Sequence, residues 1–319
     1  MQRPVLPPCT AALLDDFEDP AALGASRQLS TAASLISALA LEHQGDTAAL
    51  AHDVRAVTSY LIALRGESSQ AIPNALGQML AGFEAWSALP LPEFRQKLQQ
   101  SASGYAQRAQ ADRDRVTRYG LRLTVPAKRI LAYDYSSSVA AILAGLSETS
   151  PGPTLVIPEA RSLNGGRRFL EGLQGSTLPI EFVPDAAIST ALKGCDLALI
   201  GAETIGADGS CFNTVGSLSV ALACDYWRVP LYVPSTLIKL DTRTLFGFQR
   251  PMPALDQHRL SPLTADWPAT LRSRARVLSP DLDCVPPAFI AAYITEIGVL
   301  PPSQIAAHAA RLAEAMPHD

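Results

Sequence analysis

LALIGAETIGADGSCFNTVGSLSVALACDYW, residues 197–227, reads as a buried strand, a turn-rich junction and a helix in succession. The apolar run 197–202 lacks the polar alternation of a half-exposed strand, so both of its faces are covered. Glu203 follows it directly, Asp208-Gly209 is a turn signal, and after Val215 apolar residues recur at helical spacing. A strand feeding a helix in this way is the repeating unit of a parallel sheet with helices on its faces.

Working outward, the runs RILAY (129–133), TLVIP (154–158), IEFVP (180–184) and PLYVP (230–234) read as further strands. SSVAAILAGL, GGRRFLEGLQ and AAISTALKG between them read as helices. Upstream the grammar changes. Residues 21–118 are rich in Ala, Leu, Gln, Arg and Ser, and Leu29, Ala32, Ala33, Ile36, Leu39 and Ala40 form one stripe at helical spacing. VRAVTSYLIAL (54–64) and PNALGQMLAGFEAW (73–86) continue the pattern, with Pro73 suited to a first helical turn. The polar stretch 93–118 predicts a long solvent-facing helix. The expected fold is α/β: a helical N-terminal domain, residues 1–120, then a doubly wound, mostly parallel, Rossmann-like sheet domain, residues 121–319. The Pro-rich region 248–282 predicts an irregular loop or flap.

Composition narrows the function classes. With 48% hydrophobic and 18% charged residues in 319, the chain has enough apolar content for a sizeable core and is not disordered. A net charge of −4 lacks the basic footprint of a nucleic-acid binder. No apolar run approaches a membrane span, and the first residues do not read as a signal peptide. Cys9, Cys195, Cys211, Cys224 and Cys284 are scattered without a CxxC pair, and the histidines do not cluster, so neither a metal site nor a disulfide framework is expected. A cytoplasmic protein with no cofactor is the expectation.

Parallel sheets place ligands beyond the carboxyl ends of their strands, so chemistry is sought at each junction. After RILAY come Asp134, Tyr135, Ser136 and Ser137. They either cap the following helix, the simpler reading in isolation, or present hydroxyls and N–H groups to an anion. After TLVIP, Arg161 suits phosphate recognition or pairs internally with Glu159. Asp185 reads as the cap of the next helix. Glu203 is the strongest candidate of its junction, with Asn213 and Thr214 nearby. Lys239, shortly after PLYVP, reaches a phosphate as a point charge or is an ordinary surface lysine.

Taken together, these junctions resemble one family. It contains the regulatory subunits of eukaryotic translation initiation factor 2B, methylthioribose-1-phosphate isomerase and ribose-1,5-bisphosphate isomerase. GAETIGADGSCFNTVGS is similar to the family's G-A-D/E-x-I/V-x-x-N/D-G-x-x-x-N-K-x-G-T/S. IPEARSLNGGR, FVPDAAIS, DLDCVPPAFIAAYITEIGVLPP, LRGESSQAIPNAL and LGAS (23–26) resemble further family segments, in order, over about residues 23–305. The chain departs from the isomerases at telling positions. Ala132-Tyr133-Asp134 replaces T-H-C, putting Asp134 where they carry a catalytic cysteine. Glu203 replaces their catalytic aspartate, Thr214 the lysine of N-K, and Leu23 the arginine of R-G-A. Gly24, Ala25, Arg65, Arg161, Asn213 and Lys239 are retained.

The resemblance implies catalysis by Asp134 and Glu203, and binding of a phosphorylated small molecule by Gly24, Ala25, Arg65, Tyr135, Ser136, Ser137, Arg161, Asn213, Thr214 and Lys239, with no metal. The helical domain closes the pocket through residues 24–25 and Arg65. Three functions fit. One is a divergent aldose–ketose isomerase acting on a sugar 1-phosphate. Another is a non-catalytic, factor-2B-like subunit that binds a sugar phosphate or nucleotide. The last is an assembly protein with a vestigial pocket. For the enzyme, one carboxyl is expected to stay protonated at neutral pH, and the missing lysine at Thr214 implies a substrate with one phosphate or a smaller anion. A homodimer or higher homo-oligomer is expected through the sheet half, with AFIAAYITEIGVL (288–300) contributing.

Overall fold

The first sheet strand, β1 (Arg129–Tyr133), sends alternate side chains into two separate cores, as a strand covered on both faces must. In the computed structural model, which describes residues 2–19, 25–66, 69–149, 151–252, 264–275 and 277–315, Ile130 and Ala132 pack with Val139, Ile142 and Phe169. Leu131 and Tyr133 pack with Ile188, Leu192 and Val220. The first group comes from α7 (Ser137–Leu146) and α8 (Gly165–Gly172), the second from α9 (Ile188–Leu192) and α10 (Ser217–Trp227). Two helical layers thus sandwich the sheet.

The other predicted strands appear as β2 (Thr154–Pro158), β3 (Ile180–Val183), β4 (Leu197–Ile200) and β7 (Leu231–Pro234). With β10 (Ala292–Thr295) and β11 (Gly298–Leu300) they form a seven-stranded sheet in the order β11-β10-β7-β4-β1-β2-β3. Every pairing is parallel except β10 with β11. The segment 288–300 therefore completes the sheet: Ala292, Tyr293 and Ile294 are buried, while Ile297 and Val299 stay exposed at its edge.

A second sheet of four short strands went unread in the sequence. It comprises β5 (Thr204–Gly206), β6 (Cys211–Thr214), β8 (Leu240–Asp241) and β9 (Leu282–Val285), in the order β8-β5-β6-β9. Asp208-Gly209 makes the predicted turn: Gly206 N–H donates to Ser210 O at 2.9 Å, and Gly209 has a φ of +84°. Strands of two to four residues without alternation give no periodic signal, so only the turn was legible. Of the predicted loop 248–282, the described part includes the helical turn Ala269–Arg272 and leads into β9. Residues 253–263 and 276 lie outside the described residues.

The N-terminal half is helical as expected: α1 (Pro8–Glu18), α2 (Ala25–Glu42), α3 (Thr47–Arg65), α4 (Ala71–Met79), α5 (Phe83–Trp86) and α6 (Leu91–Thr124). The predicted stripe of α2 is wholly buried. One reading is extended and one changes. A helix, α1, precedes residue 21 and seats Leu14 and Phe17 in the core. The stretch 93–118 does not simply face solvent. It belongs to a 34-residue helix whose Phe94, Leu98, Ala102 and Tyr105 enter the helical core. Val116, Gly120 and Thr124 of the same helix are buried further along, where it packs on α7. At about 1.5 Å per residue it spans roughly 50 Å and touches both halves. Its buried stripe is narrow, one residue in three or four, and polar neighbours mask it in the sequence.

Candidate functional site

Asp134 leaves β1 in a left-handed conformation, with φ of 54°, which is costly for a residue with a β-carbon. That turn presses its carboxylate against the start of α8. A β-carbon placed on Gly165 would lie 1.9 Å from Asp134 Oδ1 and 2.7 Å from Tyr135 N, so only glycine permits the approach. Burial pushes the Asp134 carboxyl up to about 6, against hydrogen bonds donated by the Thr214 hydroxyl and the Tyr135 N–H and against the charge of Arg168. The carboxyl therefore holds its proton well above the ordinary carboxylate range, toward neutral pH. Thr214 ends β6, so this contact ties the small sheet to the large one.

Ser136 occupies the N-cap position of α7, but its side chain makes no capping hydrogen bond. The simpler sequence reading fails there, because the hydroxyl is drawn beside β4. A β-carbon on Gly201 would lie 3.0 Å from Ser136 Oγ and 3.5 Å from Asn213 Oδ1. Asn213 is buried, and its amide donates to Ser217 Oγ at 2.9 Å, which donates in turn to Thr214 O at 2.7 Å. Asp283, opposite Asn213 on β9, accepts the N–H groups of Gly216 (2.7 Å) and Leu218 (3.0 Å) and so caps α10.

Glu203 follows β4, with its backbone N–H donated to Phe212 O at 2.8 Å. Two cations face it. The Lys239 ammonium donates to Ala202 O at 2.5 Å; burial pushes its pKa down, and Glu203 opposes that shift. Arg250 is buried, donates to the Thr204 hydroxyl and lies over the Phe212 ring at 5.5 Å. Burial lowers its pKa too, and Glu203 is again the foremost opposing charge.

The remaining predicted residues are more dispersed. Ser137 Oγ lies 3.2 Å from Ser26 Oγ, bringing the start of α2, where Ala25 is buried, against the start of α7. Tyr135 is partly exposed, its ring 5.5 Å from that of Phe169. Arg65 is the half-buried last residue of α3. Gly24 lies outside the described residues. The Arg161 side chain is 60% exposed and 3.7 Å from Glu159, the internal pair the sequence left open. Asp185 does not cap its own helix: its carboxylate accepts the N–H groups of Ala160 and Arg161, each at 2.9 Å, and locks the neighbouring junction.

Sequence reasoning missed Asn74, Arg250 and Asp283 as individual residues. Asn74 is 1% exposed, and its amide donates to Ile238 O at 2.8 Å and to Leu240 O at 2.9 Å, gripping the chain on either side of Lys239 from the helical half. The signal was an asparagine among the buried residues Ile72, Ala75, Leu76 and Met79 of one helix, since a buried amide must find partners. Arg250 carries no such signal. Among the described residues no group of three or more His, Cys, Asp or Glu is placed to hold a metal ion, and no helix is long and apolar enough to cross a membrane.

Residues 24–302 match the Initiation factor 2 subunit family, and the chain belongs to it. It is 27% identical over 300 residues to a ribose 1,5-bisphosphate isomerase of Haloferax volcanii, covering 93% of this chain and 89% of that one. It is 25% identical over 287 residues to a methylthioribose-1-phosphate isomerase of Cronobacter sakazakii, covering 86% and 81%. Its fold is that of a translation initiation factor eIF-2B from Pyrococcus horikoshii OT3, with a TM-score of 0.74 at 19% identity over 94% of this chain and 99% of the other.

Proposed function

We propose that this member of the family is a divergent sugar-phosphate isomerase that converts an aldose 1-phosphate to a ketose, with Asp134 and Glu203 as its acid–base pair. The observation that carries the reading is the buried Asp134 carboxyl at the carboxyl end of a central strand, raised to about 6 by burial. An acid with a pKa near the working pH is the efficient proton donor. In the proposed reaction Asp134 gives a proton to the ring oxygen as the C1–O bond breaks. Hydrogen passes from C2 to C1, and Glu203 takes the proton of the C2 hydroxyl, leaving a ketone. One proton enters and one leaves. Lys239 and Arg250 balance the charge of the Glu203 carboxylate. Ala25, Tyr135, Ser136, Ser137, Asn213, Thr214 and Lys239 hold the phosphorylated substrate, and Gly24, Arg65 and Arg161 are assigned to its binding as well.

The test is turnover of a panel of sugar 1-phosphates, including ribose 1,5-bisphosphate and 5-methylthioribose 1-phosphate, followed across pH. The expected kcat/KM declines about tenfold per pH unit above pH 6, as Asp134 loses its proton. A rate that instead rises through pH 6 makes Asp134 the base. A protein that binds a sugar phosphate, turns over none of the panel and changes its assembly on binding is the factor-2B-like regulatory subunit instead.

The same reading takes residues 1–120 as a helical domain and 121–319 as a sheet domain. It is supported by an apolar core within residues 14–105 that is separate from the two that flank the sheet. It includes a homo-oligomer that pairs through the sheet half. The exposed Ile297 and Val299 at the β11 edge favour such a contact, and light scattering at micromolar concentration is expected to give at least twice the monomer mass.

A further inference from the structure

Between α2, α6, the turn Leu237–Lys239 and the C-terminal helix (Ile305–Ala315) lies a cleft of about 350 Å³. It opens beside the end of β7, next to the residues discussed above, and shares Lys239 with them. Its charge is unbalanced. Arg108 and Arg113 of α6 and Arg311 of the C-terminal helix line it, Arg108 and Arg311 exposed and Arg113 half-buried, with His308 one turn before Arg311. Two carboxylates also line it, and both are engaged. Asp112 is bound by Arg115 at 2.7 Å. Glu296 accepts the Leu237 N–H at 3.0 Å. Among the described residues none of the three guanidiniums has an ion-pair partner, and Arg113 donates only to the neutral Gln110 side chain. Lys239 directs its ammonium to Ala202 O.

Like charges on two helices that face one cleft repel unless an anion lies between them, and a cleft with apolar walls focuses the resulting field. Leu29, Leu237 and Leu312 supply such walls. Guanidiniums match phosphate oxygens in geometry as well as charge. Three of them exceed what a single phosphate monoester needs, at a charge near −2. We infer that this cleft is a binding site for a multiply charged phosphate anion, held between Arg108 and Arg113 of α6 and Arg311 of the C-terminal helix, apart from the Asp134 and Glu203 carboxylates. The shared chemistry is a diphosphate group, free or carried by a nucleoside. The site stands whether or not the isomerase reading holds.

Calorimetric titration of the full chain with pyrophosphate and with ADP tests this. Both bind the unmodified protein, and Arg108→Gln combined with Arg311→Gln weakens both at least tenfold. Arg118→Gln, an exposed change on α6 outside the cleft, and Asp134→Asn each leave the affinity within about twofold. Tighter binding of ADP identifies a nucleotide that uses the apolar walls; equal or tighter binding of pyrophosphate identifies a free oligophosphate. The inference is overturned if neither anion binds, if the double variant binds as the unmodified protein does, if Arg118→Gln weakens binding as much as the double change, or if Asp134→Asn abolishes it.

Discussion

Asp134→Asn is expected to lower turnover of the proposed sugar-phosphate substrate by about 10²–10⁴-fold, the usual share of a positioned general acid, while making the protein more stable above pH 6. The two effects have one cause. The carboxyl has an ordinary pKa of 3.8 and one of about 6 in the folded chain, because burial penalises its charge. The folded state therefore holds this proton more tightly than the unfolded state. Its contribution is most favourable below pH 4, falls as pH rises from about 4 to 6, and is constant above. A shift of about two units corresponds to roughly 3 kcal/mol at most. Asparagine carries no charge at any pH, so urea unfolding of the variant should lack that decline and show higher stability at pH 8. Thr214 and the Tyr135 N–H can still donate to its amide oxygen. Sugar-phosphate binding should stay within tenfold, about 1.4 kcal/mol. Equal stability of the two proteins at pH 8 would show that Asp134 is better solvated than its burial implies. Unchanged turnover would remove it from the chemistry.

Asn74→Ala should be the most damaging single change outside the acid–base pair. Its amide is the donor to the carbonyls of Ile238 and Leu240, and Leu240 is buried. Leaving such groups without a partner costs about 1–3 kcal/mol each, so a loss of roughly 2–5 kcal/mol is expected in urea unfolding. The loss should also reach function, because Asn74 fixes the turn that carries Lys239. Under conditions where the variant stays folded, affinity for a sugar phosphate should fall as well. A stability change below about 0.5 kcal/mol would mean that water replaces the amide without cost.

Five of the strands were legible because each is a short apolar run bounded by turn residues, and burial on both faces of a parallel sheet imposes that pattern locally. The same holds for the stripe of α2. The junction positions Asp134, Glu203, Asn213 and Lys239 were legible from the strand ends, and the family followed from the order of the motifs around them. The small sheet was not read, since two to four residues paired with distant partners leave no period along the chain; the β10–β11 hairpin and α1 were not read either.

What the amino-acid sequence determined by itself is thus the set of elements with their own periodicity, and which residue types stand at the strand ends. Which of those residues share an environment was decided by tertiary structure alone. Asp134 meets Thr214 because β6 belongs to a second sheet folded over the first, and its raised pKa comes from that burial. Lys239 turns toward Ala202 and Glu203 because Asn74, more than 160 residues earlier, holds its backbone. Arg161 reads in sequence either as a phosphate ligand or as the partner of Glu159, and only the structure places it 3.7 Å from Glu159 with an exposed side chain open to a ligand. Charge and hydrogen bonding act through space over a few ångströms, whereas the periodicities of helix and strand act along the chain, and only the latter are written in local sequence.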